Sequence, residues 1–393
     1  MRLKVLIDAS AAFNQGAGIG RYARNVLRAA HLEMPEAEMT LWYAPEQAGA
    51  APFGRELLEQ FQDCPEVMRA RFSRRRADQL LFRAKLPIPF QALAGAGDVA
   101  YSPDFTIPHA AGIPNVVTIH DLAYLIRPEF APAPLRAYLS AVVPRQIERA
   151  DRVAAVSETT KRDLQDRLGV RADKIAVIQN GVDQTYFDAS RLEPRYRQAL
   201  GLPDDYLLIV STIEPRKNHL NLFAALDLLD ASAALPLVVA GRVGWSADPI
   251  LAASAPLQVG NRVILLNYVP EAMLPGLIAS AAALIYPSWY EGFGRPLLEA
   301  MAAGTPVVAS DVAAHREVTG NLADYCDPAD PASIAAAIER ALLADRQTDD
   351  ARDARRMRAK EFNWASSGKR LTALLRELTM PTTGPRSRSA SRR

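Results

Sequence analysis

The segment AALIYPSWYEGFGRPLLEAMAAGTPVVASD, residues 282–311, decides the fold of this chain. It runs from a short apolar stretch through a glycine-containing loop into a helical pattern, and then into a second apolar stretch. A strand, a helix and a strand in that order are typical of a parallel sheet covered by helices. We predict a buried strand over 282–288 and a helix whose first position is Pro296, because proline is tolerated there.

The same alternation covers nearly the whole chain. Strand candidates in the N-terminal half are RLKVLID, MTLWYA, VMRARF, DVAYSP, NVVTIHD, RVAAVS and IAVIQNG, and those in the C-terminal half are YLLIVST, LPLVVAG, RVILLNYV, AALIYPS, PVVASD and ADYCD. The pattern predicts an α/β fold with two doubly wound, Rossmann-like domains, 1–190 and 191–363, which meet near a polar segment. We also predict a helix over 364–378 and a disordered basic tail over 379–393, where apolar residues are scarce.

Composition and charge exclude several classes of protein. The 393 residues are 49% hydrophobic and carry a net charge of +2, which gives no reason to expect a nucleic-acid partner. The N-terminus lacks a signal-peptide pattern, and no apolar stretch approaches the roughly 18 residues of a membrane span, so we expect a cytoplasmic protein. Cys64 and Cys326 lie far apart and the five histidines are scattered, which favours neither a disulfide framework nor a metal cluster.

Two glutamates flank the glycine-containing loop. Glu291 follows the predicted strand, and Glu299 lies one turn inside the predicted helix. The backbone amides from Gly292 through Phe293 and Gly294, together with the helix dipole, suit a phosphate group. Carboxylates on either side suit vicinal hydroxyls, so the arrangement favours a nucleotide sugar. Taken separately, Glu291 as an exposed loop charge and Glu299 as a helix-dipole contact remain alternatives.

A basic pair follows the first strand of the second domain. Arg216 and Lys217 lie immediately before a helical pattern. A guanidinium fork and an ammonium group together neutralise a diphosphate without a metal ion, so this pair is the candidate diphosphate site. A solvated basic turn is the alternative.

Two weaker candidates lie in the N-terminal half. Gly18 and Gly20 follow the first strand and precede a helix, where their amides suit a phosphate, or where they serve only a tight turn. His120 ends a strongly apolar strand, and it is either a hydrogen-bond donor to a substrate hydroxyl or a structural histidine.

These motifs together resemble a known family. GAGIGRYARNV, YSPDFTIP, TIHDLAYL, VSETTKRDL, VIQNGVD, EPRKN and EGFGRPLLEAMAAGTPVVASD are similar to those of retaining nucleotide-sugar glycosyltransferases of family four (group 1), and the similarity covers nearly all of residues 2–376. The resemblance is to the bacterial mannosyltransferase-like branch that builds O-antigen and exopolysaccharide. It implies a GT-B fold, in which two Rossmann-like domains face each other across a cleft. It also makes the helix over 364–378 a candidate to cross back to the N-terminal domain.

The resemblance also implies roles for the candidate residues. Glu291 would meet the donor sugar and Glu299 the ribose, while Arg216 and Lys217 would bind the diphosphate and His120 would lie near the sugar. Gly18 and its neighbours would contact phosphate. One departure is that many relatives carry an arginine about five residues before the lysine, where this chain has Ser211 or Thr212.

The resemblance implies substrates as well. We expect GDP-mannose rather than a UDP-sugar as donor, no cofactor and no metal, and a glycan or lipid-diphosphate-linked glycan as acceptor on the N-terminal domain. A front-face reaction is favoured and double displacement stays open. The alternatives are a sugar- or nucleotide-binding protein with two Rossmann-like domains and no transferase activity, and a dinucleotide oxidoreductase.

The segment RARFSRRRADQLLFRAKLPIPF, residues 69–90, combines cations with apolar residues. Its basic residues are Arg69, Arg71, Arg74, Arg75, Arg76, Arg83 and Lys85. Such a segment suits peripheral contact with an anionic membrane at the inner face of the plasma membrane. The alternative is a solvated basic face whose apolar residues pack on the N-terminal sheet.

Overall fold

The computed structural model describes residues 2–16, 18–46, 52–59, 61, 65–84, 86 and 88–380. Within these residues every predicted strand segment contains a strand, which confirms the α/β class. The strands are β1 Lys4–Asp8, β2 Glu38–Tyr43, β3 Glu66–Arg69, β4 Val99–Ser102, β5 Asn115–Ile119, β6 Arg152–Ala155, β7 Ile175–Val177, β8 Leu207–Val210, β9 Leu237–Ala240, β10 Val263–Asn267, β11 Ala283–Tyr286, β12 Val307–Ser310 and β13 Asp324–Cys326.

The strands form two sheets. The first has seven strands in the order β3-β2-β1-β4-β5-β6-β7, and the second has six in the order β10-β9-β8-β11-β12-β13. Pairing is parallel between β1 and both its neighbours, and between β11 and both its neighbours. In each sheet the strand order reverses beside the first strand, between β1 and β4 and between β8 and β11. Ligands of doubly wound sheets bind at the carboxyl ends of strands at that point.

Helices connect the strands. They are α1 Ser10–Asn14, α2 Gly18–Glu33, α3 Gly54–Glu59, α4 Arg74–Ala77, α5 Phe90–Ala94, α6 Ala123–Ile126, α7 Ala133–Arg149, α8 Glu158–Leu168, α9 Gln184–Phe187, α10 Pro194–Ala199, α11 His219–Leu226, α12 Asp248–Val259, α13 Leu274–Ser280, α14 Arg295–Ala303, α15 Ala313–Thr319, α16 Pro331–Ala341, α17 Asp349–Lys360 and α18 Trp364–Thr379. In the described part of the chain, each helix is too short or too polar to cross a bilayer.

Contacts group the described residues into two compact units. The first takes its residues from 1–118, 146–153 and 367–393, and the second comprises 119–145 and 154–366. The predicted domain boundaries at 190 and 363 follow a different division and stay a prediction. The predicted disordered tail lies outside the described residues from position 381 onward.

Both units have cores of apolar strand residues. In the first, Leu6 of β1 and Leu41 of β2 are fully buried, and in the second the same is true of Val238 in β9 and Leu284 in β11. Strands buried on both faces are expected where helices cover a parallel sheet. Helix α18 packs in the first unit so closely that a Cβ added at Gly368 would lie 2.6 Å from a carbonyl oxygen of α2.

The basic segment 69–90 contributes to the interior of the first unit. Leu81 and Phe82 are buried. Arg74 is largely covered as well, because its Nη2 donates to Thr106 Oγ1 at 3.1 Å and its side chain is only 20% exposed. The structure therefore corrects the grouping of Arg74 with the surface cations, and it shows that part of the apolar set packs within the fold.

Candidate active site

Two neighbouring strands of the second sheet bring distant loops together. In β8 and β11, Leu207 pairs with Ala283, so the two strands end at the same edge of the sheet. A 3-10 turn, Pro215–Lys217, follows β8, and the glycine-containing loop follows β11. The backbone N–H of Trp289 donates to the carbonyl of Arg216 at 3.0 Å, which ties the loops to each other.

Arg216, Lys217 and Glu291 meet in one ion cluster. The two oxygens of the Glu291 carboxylate accept from Lys217 Nζ at 2.5 Å and from Arg216 Nη1 at 2.8 Å. Arg216 Nη2 also donates to Glu214 at 2.9 Å, and Lys217 Nζ donates to the Tyr286 hydroxyl at 2.9 Å. The sequence predicts Arg216, Lys217 and Glu291 near one ligand, whereas the only signal for Glu214 is its place two residues before Arg216.

The ion cluster is buried, and its opposite charges are equal in number. Glu214, Lys217 and Glu291 are 2%, 7% and 8% exposed, and two cations face two carboxylates. Burial by itself raises the pKa of Glu291, but Arg216 and Lys217 outweigh it and hold that pKa well below its usual range. Burial lowers the pKa of Lys217, while Glu291 raises it above the ordinary lysine value. At neutral pH the site therefore presents two charged donors and an ionised carboxylate.

Helix α14 begins beside this cluster. Its N-cap is Gly294, with φ at 104°, and Pro296 lies in its first turn, so the helix begins one residue before the predicted position. Glu299 lies one turn inside, 3% exposed, and accepts from Arg295 at 3.1 Å. Phe293 is buried with its ring edge-on to another phenylalanine ring, so only its backbone suits the predicted donor contact.

His120 lies against the same loop through its backbone. A Cβ added at Gly292 would lie 1.8 Å from the His120 carbonyl oxygen, so only glycine permits this approach. The structure thus brings His120 to the loop that carries Glu291. The predicted contact of its imidazole with the sugar stays a prediction.

Gly18 and Gly20 belong to the first unit. Gly20 is buried, and a Cβ there would lie 1.8 Å from the Gln15 carbonyl oxygen, which Arg24 Nη1 also approaches at 2.8 Å. Gly18 begins α2 on the surface, and a Cβ added to it meets no atom within 4 Å. Close packing against Gln15 explains why position 20 is a glycine, and packing gives no such reason at Gly18. The phosphate contact of Gly18 and Gly20 stays a prediction.

Two buried histidines near the site had no assigned role in the sequence analysis. His219 follows the basic pair by two residues, and its Nε2 lies 3.3 Å from Ser211 Oγ. His315 packs its ring 5.5 Å from that of Tyr286, and its Nδ1 donates to the Ser310 carbonyl at 3.1 Å. Burial lowers the pKa of each to about 4, so both are neutral at physiological pH. Ser211, one of the two residues found where the resemblance leads us to expect an arginine, is therefore a partner of a buried neutral histidine.

Sequence comparison identifies the family. Residues 17–186 match the family described as Glycosyltransferase Family 4, and residues 193–361 match Glycosyl transferases group 1. O-antigen chain mannosyltransferase B of Escherichia coli is 32% identical over 276 residues, which cover 68% of this chain and 71% of that protein. The chain belongs to glycosyltransferase family 4. The recognition made from the motifs is confirmed.

A second sequence relative supports the family of this glycosyltransferase, and two solved structures support its fold. O-antigen chain mannosyltransferase RfbU of Salmonella typhimurium is 31% identical over 227 residues, covering 57% of this chain and 60% of RfbU. The solved structure of Anabaena HepE with UDP and glucose has a TM-score of 0.71 at 20% identity, covering 96% of this chain and all of HepE. WaaG, a glycosyltransferase involved in lipopolysaccharide biosynthesis, has a TM-score of 0.64 at 16% identity, covering 97% of this chain and 100% of WaaG. The GT-B fold is confirmed, and neither the binding-protein nor the oxidoreductase alternative gains support.

Proposed function

We propose that this glycosyltransferase moves mannose from a nucleotide sugar, with GDP-mannose as first choice, to a glycan or lipid-diphosphate-linked glycan in cell-surface polysaccharide synthesis. Two relatives named as O-antigen chain mannosyltransferases support the sugar and the acceptor class. The ion cluster of Glu214, Arg216, Lys217 and Glu291 is the observation that carries the proposal, because it joins a diphosphate site to a hydroxyl-binding carboxylate.

Donor binding changes the partners within this cluster. A diphosphate brings negative charge to the N-terminus of α14, and Arg216 and Lys217 then donate to its oxygens. The Glu291 carboxylate, released from these cations, accepts from hydroxyls of the sugar. Glu214 keeps its bond to Arg216 and holds the guanidinium in place. Glu299 accepts from the ribose hydroxyls, the amide of Gly18 contacts phosphate, and His120 donates to the sugar.

The reaction proceeds on one face of the sugar. The bond between the anomeric carbon and the diphosphate oxygen breaks, and the acceptor oxygen forms its bond on the same side. The acceptor proton passes to an oxygen of the departing diphosphate, whose growing charge Arg216 and Lys217 stabilise. The anomeric configuration is therefore retained with no metal ion. Double displacement is the rival, in which Glu291 attacks the anomeric carbon.

A donor panel tests the function. Purified protein is titrated calorimetrically with GDP, UDP, GDP-mannose and UDP-glucose, and then assayed for nucleotide release with and without an oligomannose acceptor. We expect sub-millimolar binding of a guanine nucleotide, acceptor-dependent release, and a product whose anomeric configuration by NMR matches the donor. Release from no donor, or an inverted product, contradicts the proposal, and a mannosylated Glu291 peptide in a trapping experiment contradicts the front-face route.

We further propose peripheral contact of the segment 69–90 with an anionic membrane at the inner face of the plasma membrane. Among its described cations, Arg69, Arg71, Arg75, Arg76 and Arg83 are exposed, and Leu86 is 42% exposed. Lys85 lies outside the described residues. Sedimentation with anionic vesicles at low salt, using protein truncated after residue 380, should pellet the chain, and R75S/R76S should weaken this. A tail-less chain that stays in the supernatant contradicts the contact.

A further inference from the structure

The motif VSETTKRDL, residues 156–164, has no role in the proposed function. It forms the start of α8, whose N-cap Ser157 accepts from Thr160 N at 2.8 Å. The first amides of α8, those of Glu158 and Thr159, donate to the carboxylate of Glu317 at 2.8 and 2.9 Å. The Glu317 carboxylate therefore occupies this helix terminus. The side chains of the motif make separate contacts.

Two buried hydroxyls of this motif reach the loop that carries Glu291. Ser157 Oγ donates to the Gly292 carbonyl at 2.6 Å, and Thr160 Oγ1 lies 3.2 Å from the same oxygen. Thr160 Oγ1 also lies 3.2 Å from the His120 carbonyl oxygen. Ser157 and Thr160 are both fully buried, so these bonds are shielded from water.

A third residue of the motif holds the other side of Glu291. The Tyr290 hydroxyl donates to Asp163 Oδ2 at 2.7 Å and accepts from Leu122 N at 3.3 Å. Burial, with the nearby Asp121 and Asp163 charges, raises the Tyr290 pKa far above its ordinary value. The phenol is therefore protonated and remains the donor.

These contacts hold both chain neighbours of Glu291 in place. Tyr290 and Gly292 flank Glu291, and positions 157, 160 and 163 recur at the three-residue spacing that keeps side chains near one side of a helix. We propose that Ser157, Thr160 and Asp163 are positioning residues, which fix the backbone on both sides of Glu291 and so aim its carboxylate at the donor sugar. This inference rests on the proposed function of Glu291.

Threonine variants give the first test. Thr160→Val keeps the shape of the side chain and removes the donor, whereas Thr160→Ser keeps the donor. A misaimed carboxylate affects the reaction more than nucleotide binding, so Thr160→Val should lower kcat about 10- to 100-fold. Its Kd for GDP should stay within about threefold of wild type, less than 1.4 kcal/mol of binding free energy, because Arg216 and Lys217 remain to bind the diphosphate. Thr160→Ser should restore most of kcat.

Thr305→Val is the matched control. Thr305 is a buried threonine that donates to the Ile278 carbonyl at 2.8 Å, away from the loop. It should lose thermal stability much as Thr160→Val does, while keeping its kcat. Wild-type kcat in Thr160→Val at a temperature where it is folded, or equal kcat losses in both valine variants, overturns the inference.

A double-mutant cycle tests the other contact. Tyr290→Phe and Asp163→Asn weaken the same hydrogen bond, so each should lower kcat and the double variant should lower it no further than the worse single variant. Fully multiplicative losses, or no loss in either single variant, contradict the positioning role. If the wild-type chain transfers sugar from no donor, the proposed function fails first; if the wild type is active and these variants match it, only this inference fails.

Discussion

Two loops with the same outline, β1–α2 and β11–α14, differ in what their glycines do. Each connects a central strand to a helix through glycines, and in β1–α2 the short helix α1 lies between the strand and the glycines. In β11–α14, Gly292 permits contact with a backbone carbonyl and Gly294 has a φ of 104°, next to a buried ion cluster. In β1–α2, Gly20 is required by close packing on Gln15, whereas a side chain at Gly18 meets no neighbour. A glycine pattern after a strand therefore has to be interpreted residue by residue.

The largest expected effect comes from the cluster that distinguishes the two loops. Glu291→Ala and Lys217→Ala should each lower kcat about 1000-fold, because each removes a charge that acts in the transition state. Both residues are buried, so an unpaired partner should also destabilise the fold by about 3–5 kcal/mol.

Glu291→Gln, which keeps the shape of the residue, separates the two effects. Steady-state kinetics and thermal unfolding are the measurements, with Glu377→Gln, at an exposed position of α18, as the control, which should change neither. Wild-type kcat in folded Glu291→Gln would remove the functional contrast between the loops.

The buried histidines beside the cluster should give the second-largest effect, on stability at low pH. The native pKa values of His219 and His315 are lowered to about 4, whereas the unfolded chain has ordinary values, so protons bind the unfolded state first. Stability should be complete above about pH 6.5 and should fall as the pH drops toward about 4, by up to roughly 1.4 kcal/mol per pH unit for each histidine.

Denaturant titrations across this pH range measure the slope. His315→Gln should flatten it, and His109→Gln, at an exposed position, should not. Equal slopes in all three proteins contradict the assignment of the loss to buried histidines near β11–α14.

The glycine comparison predicts a smaller effect on stability. Gly20→Ala places a Cβ against the Gln15 carbonyl and should cost about 1–3 kcal/mol of unfolding free energy. Gly18→Ala should cost less than about 0.5 kcal/mol, the usual range for a surface substitution, and should keep the backbone amide that suits a phosphate. Urea unfolding of both variants checks this, and equal losses would show that the two glycines share one structural role.

Removal of divalent metal ions should have no effect on activity. The cations and amides at β8 and β11 supply the positive charge for a diphosphate, so EDTA should leave the transfer rate unchanged. Among the described residues no three His, Cys, Asp or Glu side chains form a group that fits a metal ion. Loss of activity in EDTA, restored by Mg²⁺ or Mn²⁺, would contradict the metal-free proposal and assign the diphosphate a different partner.

The sequence by itself determined the strands, the fold class and the start of α14 to within one residue. Apolar periodicity and proline placement are local properties, and they persist whatever the rest of the chain does. It also assigned Arg216, Lys217 and Glu291 to one donor ligand, because each lies in a loop that follows a predicted strand of the second domain.

Only the tertiary structure decided which neighbours complete the site. The hydroxyls of Ser157 and Thr160 reach Gly292 across more than 130 positions of sequence, and Arg74 donates to Thr106, 32 positions away. The pairing of Glu214 with Arg216 spans only two positions, yet it depends on how the turn after β8 is held against β11. Such contacts follow from the three-dimensional arrangement of elements, and periodicity carries no information about which side chains that arrangement brings within hydrogen-bond distance.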